Sequence, residues 1–188
     1  MDATRTKVII VNGLPRCGKD TLVELATDYC NMNEYANVLN LSSVDPIKSS
    51  LAGFGWNGEK TDDIRDIIMK IKDIWISAQN GPTMYMMNNI LQFHISHVGE
   101  DNFVFCHIRE PEEIEKLVNA ISGMDTMGIS IMTLFIIRGD TQNTEENTRF
   151  SDDPMIISKY PYDRVILNDG DLAEYDAKVC EFIEELLG

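Results

Sequence analysis

The stretch Gly13-Leu14-Pro15-Arg16-Cys17-Gly18-Lys19-Asp20-Thr21 has the spacing GxxxxGK. Its glycines let the backbone fold so that amide N–H groups point inward. A helix behind the turn would add its positive end, and Lys19 would bring a full charge to a β or γ phosphate. The chemistry served by this arrangement is the cradling of nucleotide phosphates. The flanks agree, because the apolar run Lys7 to Val11 precedes the turn and a helical period from Thr21 to Tyr29 follows it. Asp20 stands where a hydroxyl would ligate magnesium, with Thr21 one step later. Two roles stay open for Asp20: meeting the ion through water, or capping the helix. Cys17 lies near the same helix start, which would lower its thiol pKa, yet it has no histidine partner in the sequence around it.

Arginines are the next candidates, since a planar guanidinium grips two phosphate oxygens at once. Arg16 lies inside the loop, while Arg109 and Arg138 follow apolar, strand-like runs. Ligands of open α/β sheets sit beyond the carboxyl ends of the strands, and both positions satisfy that rule. The competing role for each is a surface ion pair, natural in so acidic a chain. His94 and His97 form an HxxH pair, but His94 falls on an apolar stripe with Met87, Leu91 and Val98 and reads as structural. Met84, Met86 and Met87 read as core packing, and Asp62, Asp63, Glu145 and Glu146 as solvated charge.

These residues must be held by strands alternating with helices. Short β-branched runs at Lys7 to Val11, Val38 to Leu41, Phe103 to Ile108, Ser130 to Ile137 and Arg164 to Leu167 predict buried parallel strands. Helical periods fit Thr21 to Tyr29, Pro46 to Leu51, a stretch carrying Ile64, Ile67, Ile68, Ile71, Ile74 and Trp75, then Tyr85 to Val98, Pro111 to Ile121 and Leu172 to Leu187. Pro111 with Glu112 and Glu113, and Asp171 with Glu174, are helix-start signals. The alternation predicts an α/β three-layer sandwich around a parallel sheet. Gly139 to Tyr160 is polar and longer than an ordinary connection, as lids and binding loops are.

The chain has 188 residues, with 16 Lys and Arg against 31 Asp and Glu, a net charge of −15 and an isoelectric point near 4.4. At 44% hydrophobic and 25% charged residues it can bury one substantial core. Such an acid excess argues against nucleic acid and against anionic membrane surfaces as partners. No apolar run approaches the roughly 20 residues that span a bilayer. The first residues lack the pattern of a secretory signal, and Cys17, Cys30, Cys106 and Cys180 have no CxxC spacing. A cytoplasmic protein with reduced thiols is expected.

Five segments, GLPRCGKDT, SVDPIKSSL at Ser43 to Leu51, GFGWNGEKTDDIRDI from Gly53, HIREPEEIEKL from His107 and YDRVILNDGDLAEY from Tyr162, resemble phage-type deoxynucleoside monophosphate kinases. More widely, they resemble the nucleoside monophosphate kinase branch of P-loop proteins. The resemblance implies one domain over 1–188 with the P-loop kinase fold and a five-stranded parallel sheet in order 2-3-1-4-5. It also implies an acceptor-binding region at about 43–98 and a lid at about 139–160. The implied reaction passes the γ phosphate of ATP, with magnesium, to a nucleoside monophosphate. In that scheme the donor would be held by Gly13, Arg16, Cys17, Gly18, Lys19, Asp20 and Thr21. Lys48, Arg65 and Arg109 would hold the acceptor, and Lys19, Arg109, Arg138 and Arg149 would stabilise transfer. Asp20 and Glu110 would meet magnesium through water.

Relatives carry an acidic residue in a DxR pattern where this chain has His107, and neutral imidazole is a poor ligand for magnesium. Asp20, Glu110 or Asp45 would then substitute through water, with Glu110 otherwise capping the helix that Pro111 begins. Phe54, Trp56 and Tyr85 could stack on an acceptor base. A kinase of another small metabolite, of the phosphomevalonate or dephospho-coenzyme A type, and a nucleotide-binding regulator without activity remain the alternatives. A homodimer is compatible with the sequence.

Overall fold

The computed structural model describes residues 5–59, 61–139 and 160–188. Strands β1 (Arg5–Gly13), β2 (Asn37–Ser42), β3 (Asp101–His107), β4 (Ile129–Ile137) and β5 (Arg164–Leu167) form one sheet in the order β2-β3-β1-β4-β5. Every neighbouring pair is parallel. Parallel strands need crossovers, and among the described residues helices supply those from β1 through β4: α1 (Lys19–Asn33), α2 (Asp45–Gly53), α3 (Asp62–Gln79), α4 (Gly81–Ser96) and α5 (Pro111–Ile121), while α6 (Leu172–Leu187) follows β5.

β1 is central because its apolar run is continuous, and Val8, Ile9, Ile10 and Val11 are at most 1% exposed. Side chains alternate across a strand, so one run serves two cores. Ile9 and Val11 pack with Phe103, Phe105, Leu134 and Ile136 against α1 and α6. Val8 and Ile10 pack with Val104, Cys106 and Ile129 against α4 and α5. Each fully buried Ile, Leu or Phe contributes about 1.5–3 kcal/mol.

The start signals act as expected at two helices. Asp171 accepts a hydrogen bond from the Glu174 amide at 2.9 Å, and Pro111 opens α5 behind Glu110. Two helices differ from the periodicity. α4 runs from Gly81 to Ser96 because Asn80 turns left-handed and Pro82 fits the first turn. Val98, expected on its apolar stripe, lies past the helix and is exposed. α3 has the expected helical period but buries only Lys72, leaving Ile67, Ile71 and Ile74 exposed. The apolar stripe is present, but α3 packs on α4 and α2, which half-bury Ile64, Ile68 and Trp75 and leave the rest of the stripe open.

His94 is buried and its Nδ1 lies 2.8 Å from the Thr6 hydroxyl, the structural role expected for it, while His97 Nδ1 pairs with the Phe93 carbonyl. Of the methionines expected in the core, Met86 is fully buried and Met87 packs against it, whereas Met84 is exposed. Among the described residues no helix is long and apolar enough to cross a membrane.

Candidate active site

β1 ends at Gly13 and α1 begins at Lys19, so the loop between them sits at the carboxyl edge of the sheet and at a helix N-terminus together. The turn needs unusual backbone angles. Gly18 has φ 103° and Arg16 φ 62°. Gly18 is the helix N-cap, so Asp20 does not cap α1; it lies exposed in the first turn, where its charge favours the positive dipole end. A Cβ on Gly13 would come 2.5 Å from the Ile136 carbonyl oxygen, and one on Gly18 would come 2.4 Å from the Asn168 amide nitrogen. Both glycines are therefore required by close packing behind the loop.

Side chains from distant segments hold the loop from below. Asn12 accepts from the Gly13 amide at 2.7 Å and donates to the Tyr162 hydroxyl at 2.7 Å and the Arg109 carbonyl at 3.0 Å. Asn168 donates to the Cys17 carbonyl at 2.9 Å, and the Tyr175 hydroxyl donates to the Gly18 carbonyl at 3.0 Å. Tyr162 is itself stacked on Phe135, ring centres 4.8 Å apart. Asn12, Asn168, Tyr162, Tyr175 and Lys72 were not singled out by the sequence. For Asn12 and Asn168 a signal existed, since each is a polar residue that directly follows an apolar strand run.

Lys19 folds over the loop mouth, donating to the Gly13 and Leu14 carbonyls, both at 2.7 Å, with the Cys17 sulfur at 3.7 Å. Desolvation pushes the ammonium pKa down, and the nearby Arg109 charge adds to this. Burial also pushes the Cys17 thiol up, against the opposing pull of Lys19, so the helix start does not make it a thiolate as expected.

Arg109 lies two residues beyond β3 and Arg138 directly beyond β4, both exposed. Arg138 acts electrostatically on Tyr175, which holds Gly18, so the two arginines stand on opposite flanks of the loop. Lys48 pairs with Asp45 at 3.1 Å in α2, and Arg65 lies 3.5 Å from Asp62 in the first turn of α3. Thr21 lies in the first turn of α1. Arg149 and most of the expected lid lie outside the described residues. Phe54 is 89% exposed, Trp56 donates to the Glu59 carbonyl, and Tyr85 packs near Trp75.

The two carboxylates expected to meet magnesium through water separate here. Asp20 remains open to solvent beside Lys19 and fits that role. Glu110 is engaged at both oxygens by Lys72, 2.6 and 2.5 Å away, and neither caps α5 through its side chain nor faces the loop unpaired. His107 is half-buried at the end of β3, in register with Val11 and Ser42. Burial pushes its pKa down, which keeps the ring neutral.

No family model matches the sequence, and no curated protein matches it either. Solved structures do resemble it. The Mycobacterium tuberculosis APS kinase CysC in complex with AMPPNP and APS aligns with a TM-score of 0.54 at 13% identity, over 96% of this chain and 99% of that one. Thymidylate kinase from Ehrlichia chaffeensis aligns at 0.50 and 14% identity, over 98% and 100%. The tunicamycin resistance protein of Deinococcus radiodurans aligns at 0.53 and 14% identity, over 98% and 96%. At these identities the likeness is one of fold. The chain is a three-layer α/β sandwich with the P-loop kinase fold.

Proposed function

We propose that the chain is an ATP-dependent kinase that transfers the γ phosphate to a small phosphorylated acceptor, with a deoxynucleoside monophosphate as the first choice. The observation that carries this reading is Lys19, drawn across the glycine loop at the start of α1 onto the Gly13 and Leu14 carbonyls, with Arg109 and Arg138 on either flank. Donor phosphates offer Lys19 better acceptors than the Gly13 and Leu14 carbonyls, because an anion neutralises its charge.

The acceptor is a phosphate oxygen already ionised at neutral pH, so no general base is needed. The protein's task is alignment and charge neutralisation. In this reading Gly13, Arg16, Cys17, Gly18, Lys19, Asp20 and Thr21 bind the donor. Lys48 and Arg65 receive the acceptor, Arg109 and Arg138 steady the transferring group, and Arg149 closes from the lid. Magnesium, when bound, neutralises developing charge, and Asp20 is the residue that would hold it through water. The acidic surface keeps large polyanions away without excluding a single nucleotide, because local cations set the field at the site.

Support for the acceptor class comes from the segments shared with monophosphate kinases and from the fold likeness to a thymidylate kinase. The APS kinase likeness favours a second reading, a different small phosphorylated acceptor. A panel of ribo- and deoxyribonucleoside monophosphates, tested with ATP and magnesium and scored for diphosphate, separates the two. A deoxynucleoside monophosphate turned over above all others supports the first. ATP bound without transfer to any of them refutes it.

A further inference from the structure

Burying a polar atom without a partner costs about 1–3 kcal/mol, so native proteins leave few of them, and those that persist call for an explanation. Among the described residues the buried side-chain polar atom without a hydrogen-bond partner is His107 Nε2. Its position is specific. His107 pairs in register with Val11, two residues before the Gly13 loop, and with Ser42, which leads through Ser43 into α2. The Ser43 amide donates to the His107 carbonyl at 3.2 Å, which fixes the backbone there. The ring thus stands between the loop and the helix carrying Asp45 and Lys48. The charges acting on it are led by Asp20 and Lys19, followed by Asp45 and Lys48.

We infer that His107 is a ligand-contacting residue whose Nε2–H donates a hydrogen bond to an oxygen of the terminal phosphate of a bound nucleoside triphosphate. Three observations converge on this. The atom is an orphan, so its burial carries a cost that an acceptor atom would remove. An imidazole in the Nε2–H tautomer can donate from that atom to an oxyanion. The leading charges on it belong to Asp20 and Lys19, the residues that open α1 behind the glycine loop. The assignment rests on the reading of this loop as a donor-phosphate site.

The experiment is calorimetric titration of the wild-type chain, His107→Ala and His107→Gln with AMPPNP and, separately, ADP, all with magnesium chloride. Loss of a hydrogen bond to a charged group predicts AMPPNP binding weakened by about 10- to 100-fold in His107→Ala. ADP, which lacks the terminal phosphate, should bind as to wild type. His107→Gln, whose amide also offers an N–H, should recover part of the loss. The ring ¹⁵N resonance of His107 should move on adding AMPPNP and stay still on adding ADP. His107→Leu should melt higher than wild type without nucleotide, since it removes the orphan; a histidine kept for structure would do the opposite. Equal weakening for both nucleotides, or none for either, overturns the assignment while leaving the donor site standing. Failure of the wild-type chain to bind AMPPNP at all overturns both.

Discussion

Lys72 Nζ lies 2.6 and 2.5 Å from the two carboxylate oxygens of Glu110, and Lys72 is the only side chain that α3 buries. This pair ties α3 to the start of α5, one residue from Arg109. Removing one partner of a buried pair strands the other. Because Glu110 is 30% exposed, the cost is discounted to about 2 kcal/mol for Lys72→Met. Urea unfolding checks the value. The double variant Lys72→Met with Glu110→Leu should regain most of the loss, and hydrogen exchange in α3 should quicken in the single variant.

Lys19→Ala should leave the melting temperature close to wild type while diphosphate formation falls by about 100- to 1000-fold, the scale seen when a charge-stabilising donor is removed from a transition state. Circular dichroism and a coupled ADP assay read the two halves. Turnover near the wild-type rate would refute the loop assignment.

Gly18→Ala forces a side chain into φ 103° and puts its Cβ 2.4 Å from the Asn168 amide nitrogen. A loss of about 2 kcal/mol is expected from the backbone angle and the displaced Asn168 bond together. AMPPNP affinity, measured by calorimetry, should fall in parallel. Asn168→Ala, which frees the Cys17 carbonyl alone, should cost about 1 kcal/mol.

Burial pushes the Tyr162 phenol up to about 12 from its ordinary 10. Between pH 10 and about 12 the unfolded chain releases a proton that the folded chain keeps, so folding stability falls as pH rises through that window. Below pH 10 both states are protonated and no dependence arises from this residue. Absorbance titration near 295 nm should lose one late tyrosine in Tyr162→Phe. The alkaline fall in stability should become shallower in that variant.

Much of the fold was legible because its signals are local. A four-residue β-branched run at Val8 to Val11, Pro111 before two glutamates and Asp171 three residues before Glu174 each act within one turn or strand. The GxxxxGK spacing likewise located the loop, since glycine placement and the following helix are neighbours in the chain. Ligand placement beyond strand ends marked Arg109 and Arg138 for the same reason: the end of an apolar run is visible in sequence.

What supports the loop was not legible, because it depends on pairs that the sheet brings together from far apart. Asn12 meets Tyr162 and Asn168 meets Cys17 across separations of 150 and 151 residues. Composition could not show that Glu110 belongs to Lys72, 38 residues earlier, or that Ile67, Ile71 and Ile74 would face solvent. Nor could it show that Cys17 would be desolvated, since burial is a property of the whole packed molecule and outweighs the local helix dipole. The sequence by itself determined the glycine and lysine spacing of the loop on which the proposed phosphate chemistry rests. Tertiary structure decided which charges remain available to it, because an ion pair or a buried ring exists only once distant segments have docked.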